Sequence, residues 1–294
     1  MSEVGINPFN MGWDQLYKKL YVPGWKGMAL DVSAFDASFP WVMARKIATL
    51  RLRRLSPEAR QLPMAEKLVA YITESIFRSL NILPNGEVVQ KEHGNASGSP
   101  NTVVDNTLAL AMAFMYVWVR SCRLDGTPPS FMEFKENVRA ALYGDDNTFT
   151  ASELAQVRLS YERMQQFFGE LGWKVTMESE GWVPTDQLTF LQRGFSEYNG
   201  IKVPKCVDGV KALDSLLHKS HGDVTLTYQR AASLLVIYWW NVEERVVIQG
   251  FLDRLESEYF YSGSMRDLSV RSTRLTPAQI VRLYIDPNWC LPDQ

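Results

Sequence analysis

Two aspartates stand side by side in ALYGDDNTFT (residues 141–150), between two stretches that read as strands. Asp145 and Asp146 therefore sit in or beside a tight turn. Neighbouring carboxylates repel unless a cation lies between them or water screens them. The stretch is either a solvated turn or half of a metal site. The other half is offered by ALDVSAFD (29–36). Asp31 ends an apolar strand, where a charge needs a partner, and Asp36 follows one turn later. With the 25–31 strand beside the 139–143 arm of the hairpin, Asp31 approaches Asp145. The two make an oxygen-rich, negative pocket suited to a hard divalent cation, Mg²⁺ or Mn²⁺. Two such ions about 4 Å apart can activate an attacking oxygen and stabilise a leaving one during phosphoryl transfer.

A third piece is GNASGSPNTVVDNT (94–107). Ser97 and Gly98 lie in a loop of small residues. Thr102 and Asn106 are four apart on the helix that follows and so share a face. Buried hydrogen-bonding side chains need partners. Asp36 is a candidate partner for Asn106, and together they could hold a ribose hydroxyl. The plain alternative is a capped helix start with small packing residues. Asp105, next to Asn106, is read as facing solvent.

These residues need elements to position them. The pattern predicts a helix over 10–22 and a strand over 24–32. A helix then starts with Asp36 and Ser38 as cap candidates. Arg45, Lys46, Arg51, Arg53 and Arg54 make its later part positive, as a solvated face or an RNA contact. A helix over 64–80 leads to Asn85-Gly86, a hairpin signal in which both turn positions take positive φ. Further helices are expected over 101–123 and 152–171. GWKVTMESE reads as a short strand and loop, and QLTFLQRGFSE as another strand and turn. From about 200 the chain reads as mostly helical, with Thr276 capping a helix that begins at Pro277. The expected class is α+β, an antiparallel sheet backed by helices and followed by a helical C-terminal domain.

Composition narrows the rest. The 294 residues are 46% hydrophobic and 22% charged, with a formal net charge of -2. That is a globular composition without a global basic bias, so any nucleic-acid surface must be local. Cys122, Cys206 and Cys290 are too widely spaced for a zinc or disulfide framework and suit a reducing compartment. His93 stands alone. His218 and His221, an HxxH, are read as surface helix residues. No signal peptide or repeat is visible, and the longest apolar run, LALAMAFMYVWV (108–119), is read as too short to span a bilayer. The chain begins abruptly, as a piece cut from a larger polyprotein would.

Taken in order, D-x4-D, then SG-x3-T-x3-N, then GDD, the three stretches resemble motifs A, B and C of viral RNA-dependent RNA polymerases. The resemblance is carried by DVSAFD (Asp31, Asp36), SGSPNTVVDN (Ser97, Gly98, Thr102, Asn106) and YGDD (Tyr143–Asp146). VGINPFNMGW looks like the segment before motif A, and FLQRGF (190–195) like motif E. The likeness spans roughly residues 4–195 and points to the picornavirus-like supergroup. The motif B wording is similar to potyvirus- and astrovirus-like members.

That resemblance implies a right-hand polymerase palm over 1–198, with a small fingers insertion at about 50–95, and a helical thumb over 199–294. It implies that the N-terminal fingers are missing. Asp31 and Asp145 would bind two Mg²⁺ or Mn²⁺ ions, with Asp146 and the backbone around Val32 in support. Asp36 and Asn106, with Thr102 nearby, would read the ribose 2′-hydroxyl. Ser97 and Gly98 would flex near the template base, and Arg193 would contact a primer phosphate. Lys174 would be the general acid toward pyrophosphate, although it lies earlier than the usual position, where Glu180 stands. The partners implied are an RNA template and primer, nucleoside triphosphates and other viral replication proteins. The implied place is the host cytoplasm, in a replication complex held at membranes by those other proteins. A reverse transcriptase is an enzymatic rival, but it usually has a bulky residue where Asp36 stands and lacks the motif B helix. A non-catalytic RNA-binding fragment is a rival of another class.

Overall fold

The computed structural model describes residues 1–217, 223–260 and 273–290. His218 and His221 lie outside the described residues. The chain forms two compact units. The first comprises Met1–Gly5 and Leu20–Thr185, and the second Ile6–Lys19 and Asp186–Gln294. The expected divide at 198–199 falls within a hairpin of the second unit. Helix α1 (Gly12–Leu20) lies almost wholly in that second unit.

The first unit is built on strand β1 (Lys26–Val32). It continues through α2 (Phe35–Ser38), α3 (Trp41–Arg54), α4 (Pro57–Gln61) and α5 (Ala65–Phe77). The small hairpin β2 (Leu80–Ile82) and β3 (Val88–Gln90) precedes the long helix α6 (Thr102–Leu124) and the short α7 (Phe131–Asn137). The hairpin β4 (Val138–Tyr143) and β5 (Asp146–Ala151) follows, then α8 (Glu153–Arg158), α9 (Tyr161–Gly169) and β6 (Val175–Met177).

Four of these strands form an antiparallel sheet in the order β4-β5-β1-β6. β1 therefore pairs with β5, the second arm of the hairpin, and not with the 139–143 arm as expected. Both arms are six residues long and largely buried, so length and burial do not distinguish them. The outer edge of β4 is covered by the N-terminus: Leu142 donates to the Met1 carbonyl at 2.8 Å and accepts from Glu3 N–H at 2.8 Å. Pairing of this kind blunts an exposed edge.

Helix α6 packs on this sheet. Its buried Ala109, Leu110, Ala113, Phe114, Val117 and Trp118 recur at helical spacing. Phe114 meets Phe149 of β5 edge-on with ring centroids 5.1 Å apart, and Trp173 stacks on Phe35 at 4.7 Å. At 23 residues, α6 is long and apolar enough to cross a membrane by length and composition, contrary to the reading from the 108–119 run alone. More than half of that apolar window is buried inside the unit, as in a core helix.

Several local expectations are corrected. Asp36 and Ser38 do not cap α3; Pro40 occupies that position without a side-chain cap. The Asn85-Gly86 turn is not a two-residue turn with two positive φ angles. Pro84 fixes the preceding residue, and only Gly86 takes positive φ (84°). Gly86 N–H bonds Leu83 at 2.8 Å and Leu83 N–H bonds Glu87 at 2.8 Å, a longer turn closed by a left-handed glycine. The helix expected over 152–171 is two, because Ser160 caps α9 through Arg163 N–H.

Asp105 is fully buried and faces Arg51, with Nη2 to Oδ1 at 2.6 Å and Nη1 to Oδ2 at 3.4 Å. Burial raises the Asp105 carboxyl above its usual range, and the Arg51 charge opposes that rise. The Arg51→Met variant is expected to lose about 2–4 kcal/mol at neutral pH, since it strands a buried carboxylate. The sign with pH follows. A carboxyl whose folded pKa lies above its unfolded value destabilises the fold when ionised, and the penalty is relieved as pH falls through the folded pKa. Urea unfolding at pH 7.5 and pH 5 checks this: the deficit against wild type should shrink at the lower pH, and equal deficits would refute it.

The second unit holds an antiparallel sheet of β7 (Thr189–Phe190), β8 (Arg193–Tyr198) and β9 (Ile201–Cys206). The last strand occupies a stretch expected to be helical. Its Asn199-Gly200 turn has positive φ at both positions (49° and 77°), the geometry expected for the other Asn-Gly pair. Then follow α10 (Val210–Leu217), α11 (Val224–Ile237), α12 (Val242–Leu255), a π-helical turn (Glu256–Phe260) and α13 (Pro277–Ile285). Thr276 caps α13 in a full capping box with Gln279. Tyr228, Leu235, Ile248, Leu252, Ile280 and Tyr284 belong to the core of this unit.

Candidate active site

The β4–β5 turn is closed by Tyr143 and Asp146, which face each other across the ladder. Gly144 takes positive φ (65°) and Asp145 does not, so glycine is needed at the first central position. The turn is fixed from outside by two buried side chains. Thr107 of α6 accepts the Gly144 N–H on its hydroxyl at 2.8 Å. The β1–β5 ladder ends at Ala29 and Thr148, and the Asn147 side chain continues it. Its amide donates to Leu30 O at 2.7 Å and to Asp145 O at 3.2 Å, while its carbonyl accepts from Leu30 N–H at 3.3 Å. Asn147 thus ties the strand bearing Asp31 to the turn bearing Asp145.

Asp31 and Asp145 are exposed and Asp146 is half-buried. Asp31 is therefore not the buried strand charge that the sequence suggests. Partial burial, then the charges of Asp145 and Asp31, push the Asp146 carboxyl up. Glu178, just beyond β6, is exposed over much of its surface. Partial desolvation and then the charges of Asp146, Asp31 and Asp145 raise its carboxyl too. Four carboxylates share one negative field, which a cation would relieve. Among the described residues, no three Asp, Glu, His or Cys side chains close into a cage that could hold a metal ion. The donor set nevertheless fits Mg²⁺, which takes one or two carboxylates and completes its shell with water and phosphate oxygens.

A polar network gathers around Asp36. Ala34 is left-handed (φ 50°, ψ 44°) and turns the chain from β1 into the short α2. Asn106 donates to Asp36 Oδ1 at 2.5 Å and Ser97 donates to Oδ2 at 3.0 Å. Asn95 donates to Asn106 Oδ1 at 2.9 Å. The loop lies hard against α2: Asn95 N–H reaches Asp36 O at 2.6 Å, and Gly94 N–H reaches Phe39 O at 2.9 Å. A Cβ on Gly94 would stand 3.0 Å from both the Asp36 and Ala37 carbonyl oxygens, at φ 94°. The Thr102 hydroxyl is spent on Ala96 O and Ser99 O, so it shapes the loop. Gly98 is exposed in that loop. His93 Nδ1 bonds Ala37 O at 2.7 Å, beside the network.

Lys174 is exposed before β6, and its carbonyl accepts from Ser33 N–H at 2.9 Å. Glu180 is exposed in the following turn. Arg193 belongs to the second unit, where its guanidinium neighbours Cys206, Tyr238 and Tyr284. Sequence reasoning missed Asn95, Thr107, Asn147 and Glu178. The first three are polar residues immediately beside the motifs, which is the signal that was available.

Thr107→Val removes the acceptor for the buried Gly144 N–H while keeping the side-chain volume. An expected loss of about 1–3 kcal/mol in local stability follows, with faster hydrogen exchange at Gly144, whereas Thr107→Ser retains protection. Unchanged exchange in the valine variant would show that the hydroxyl does not hold the turn.

Comparison with known proteins sets this geometry in a family. A family model described as viral RNA-dependent RNA polymerase matches residues 1–209. The genome polyprotein 1 of Barley mild mosaic virus (strain Na1) is 38% identical over 169 residues, covering 58% of this chain and 7% of the polyprotein. The genome polyprotein of Brome streak virus (strain German) is 30% identical over 202 residues, covering 69% of this chain and 20% of the polyprotein. A solved Sicinivirus 3Dpol RNA-dependent RNA polymerase superposes with TM-score 0.63 at 18% identity. That superposition covers 94% of this chain and 56% of the solved one, and shows a shared α+β polymerase fold. The chain thus spans a small part of its polyprotein relatives and about half of the solved polymerase. The reverse transcriptase reading finds no support in these matches. With the family match running through the aspartate strand, the Asp36 network and the GDD turn alike, the chain belongs to the viral RNA-dependent RNA polymerases.

Proposed function

We propose that the chain performs template-directed RNA synthesis for viral genome replication and transcription, with the first unit as palm and the helical residues from Val210 onward as thumb. The observation that carries this reading is the Asn147 side chain that ties the strand bearing Asp31 to the turn bearing Asp145, where Asp146 and Glu178 share the negative field. Two Mg²⁺ or Mn²⁺ ions, held by Asp31 and Asp145 with Asp146 and the Val32 backbone in support, would activate the attacking oxygen and neutralise the triphosphate. The primer 3′-hydroxyl attacks the α-phosphate, a new O–P bond forms, and the bond to pyrophosphate breaks. Asp36, held by Asn106 and Ser97, orients the ribose 2′-hydroxyl. Each Asp36 oxygen keeps acceptor capacity beyond the bond it already makes. Lys174 is the proposed proton donor to the leaving pyrophosphate. The partners are template RNA, nucleoside triphosphates and other viral replication proteins, at host cytoplasmic membranes reached through those proteins.

The test is primer extension on an RNA template with rNTPs and Mg²⁺ or Mn²⁺, at the length of the solved polymerase and at the length of this chain. Extension that chelation abolishes supports the reading. A folded, RNA-binding protein that extends no primer with either metal would leave the non-catalytic RNA-binding fragment in its place.

A further inference from the structure

We infer that the second unit carries a site for a small amphiphilic carboxylate, its apolar body in a cavity beside α11 and its anionic head on Arg193. The cavity is about 460 Å³, within the range of small-molecule sites. Phe9, Val236, Ile237, Leu275 and Leu283 line it, and Arg193 is the only charged residue among its described lining. A second cavity of about 150 Å³ is also lined by Arg193, with Cys206, Lys211 and Tyr238. The guanidinium thus stands where an apolar chamber meets a small polar one.

Arg193 is half-buried and has no carboxylate within ion-pair distance among the described residues, unlike Arg51, Arg158 or Arg274. A guanidinium carries five donors, and no carboxylate among the described residues is close enough to pair with it. Its charge reaches the buried Cys206 thiol. The Tyr284 hydroxyl already donates to Val236 O at 2.7 Å, and the Tyr238 hydroxyl to Asp208 O at 3.0 Å. A half-buried guanidinium at the edge of an apolar chamber can hold an anion by charge-assisted bonds. Asp208 lines the smaller cavity, 3.9 Å from Lys211 Nζ, and the Glu244 charge reaches Cys206 and Tyr238. Those negative charges leave room for one added negative charge and disfavour two. The head is therefore a carboxylate and not a phosphate.

Octanoate, octanol and octyl phosphate titrated calorimetrically into the full chain, below micellar concentrations, test the assignment. Octanoate is expected to bind at one saturable site about ten-fold or more tighter than octanol, the worth of a charge-assisted bond. Arg193→Leu should remove that preference. Ser233→Trp, placed on the exposed rim of the cavity, should block octanoate while leaving the core untouched, and it decides the matter if the arginine variant fails to fold. Equal affinity for octanoate and octanol, tighter binding of octyl phosphate, or no saturable binding would each overturn the assignment.

Discussion

Asp145→Ala is expected to lower nucleotide incorporation by roughly 10³-fold or more, on the order of 4 kcal/mol in transition-state stabilisation. The loss belongs to the chemistry and not to the fold. Asp145 is exposed, and the hydrogen bond that ties its residue to Asn147 uses the backbone carbonyl, which alanine keeps. Removing one of four mutually repelling carboxylates also lowers the electrostatic strain felt by Asp146 and Glu178. Stability should therefore stay within about 0.5 kcal/mol of wild type or rise. Single-turnover primer extension, paired with urea unfolding, separates the two quantities. Near-wild-type incorporation by a folded variant would remove Asp145 from the reaction and with it the proposed metal pair.

The site was legible where residue type and order carry the information, and illegible where a contact spans the chain. Asp31, Asp145, Asp36 and Asn106 are polar residues at places where patterning demands apolar ones or turns, so they stand out in one dimension. Which hairpin arm lies beside β1 does not, because both arms are buried strands of equal length. The pairing is long-range, and Asn147 extends it through a side chain that bonds a strand 117 residues earlier. The pairing of Asp105 with Arg51 crosses 54 residues and was hidden the same way. An aspartate four residues from a helix end reads as solvated until a cation arrives from another helix.

Local chemistry misled for a different reason. Two Asn-Gly pairs occur between apolar stretches, and only Asn199-Gly200 adopts the two-residue turn. Pro84 before Asn85 fixes φ near -65° and draws the first pair into a longer turn. Asp36 and Ser38 have the right types for caps, but Asp36 is committed to Asn106 and Ser97, and Ser38 donates to the Ala34 carbonyl at 2.9 Å. A side chain spent on a distant partner cannot also serve its own helix. The fold class itself followed from alternating apolar stretches and tight turns, which need no long-range information.

Asn106→Ala is expected to lower the ratio of rNTP to dNTP incorporation by roughly ten- to a hundred-fold, with little change in RNA affinity. The argument starts from buried polar groups. Asn106 is 3% exposed, donates to Asp36 and accepts from Asn95. With it gone, Asp36 loses the bond that fixes its carboxylate, and a site that distinguishes a hydroxyl from a hydrogen by that carboxylate loses its reference. Some stability is lost as well, about 1–3 kcal/mol for the stranded Asn95 amide and Asp36 oxygen. The ratio of the two substrates cancels that loss, because both are measured on the same folded population. Ser97→Ala provides the graded comparison. It removes the second Asp36 bond from an exposed hydroxyl that water can replace, so its effect on the ratio should be several-fold smaller. Equal effects of the two variants would mean that Asp36 is not oriented by Asn106. An unchanged ratio in both would assign the network to loop structure and place ribose reading elsewhere.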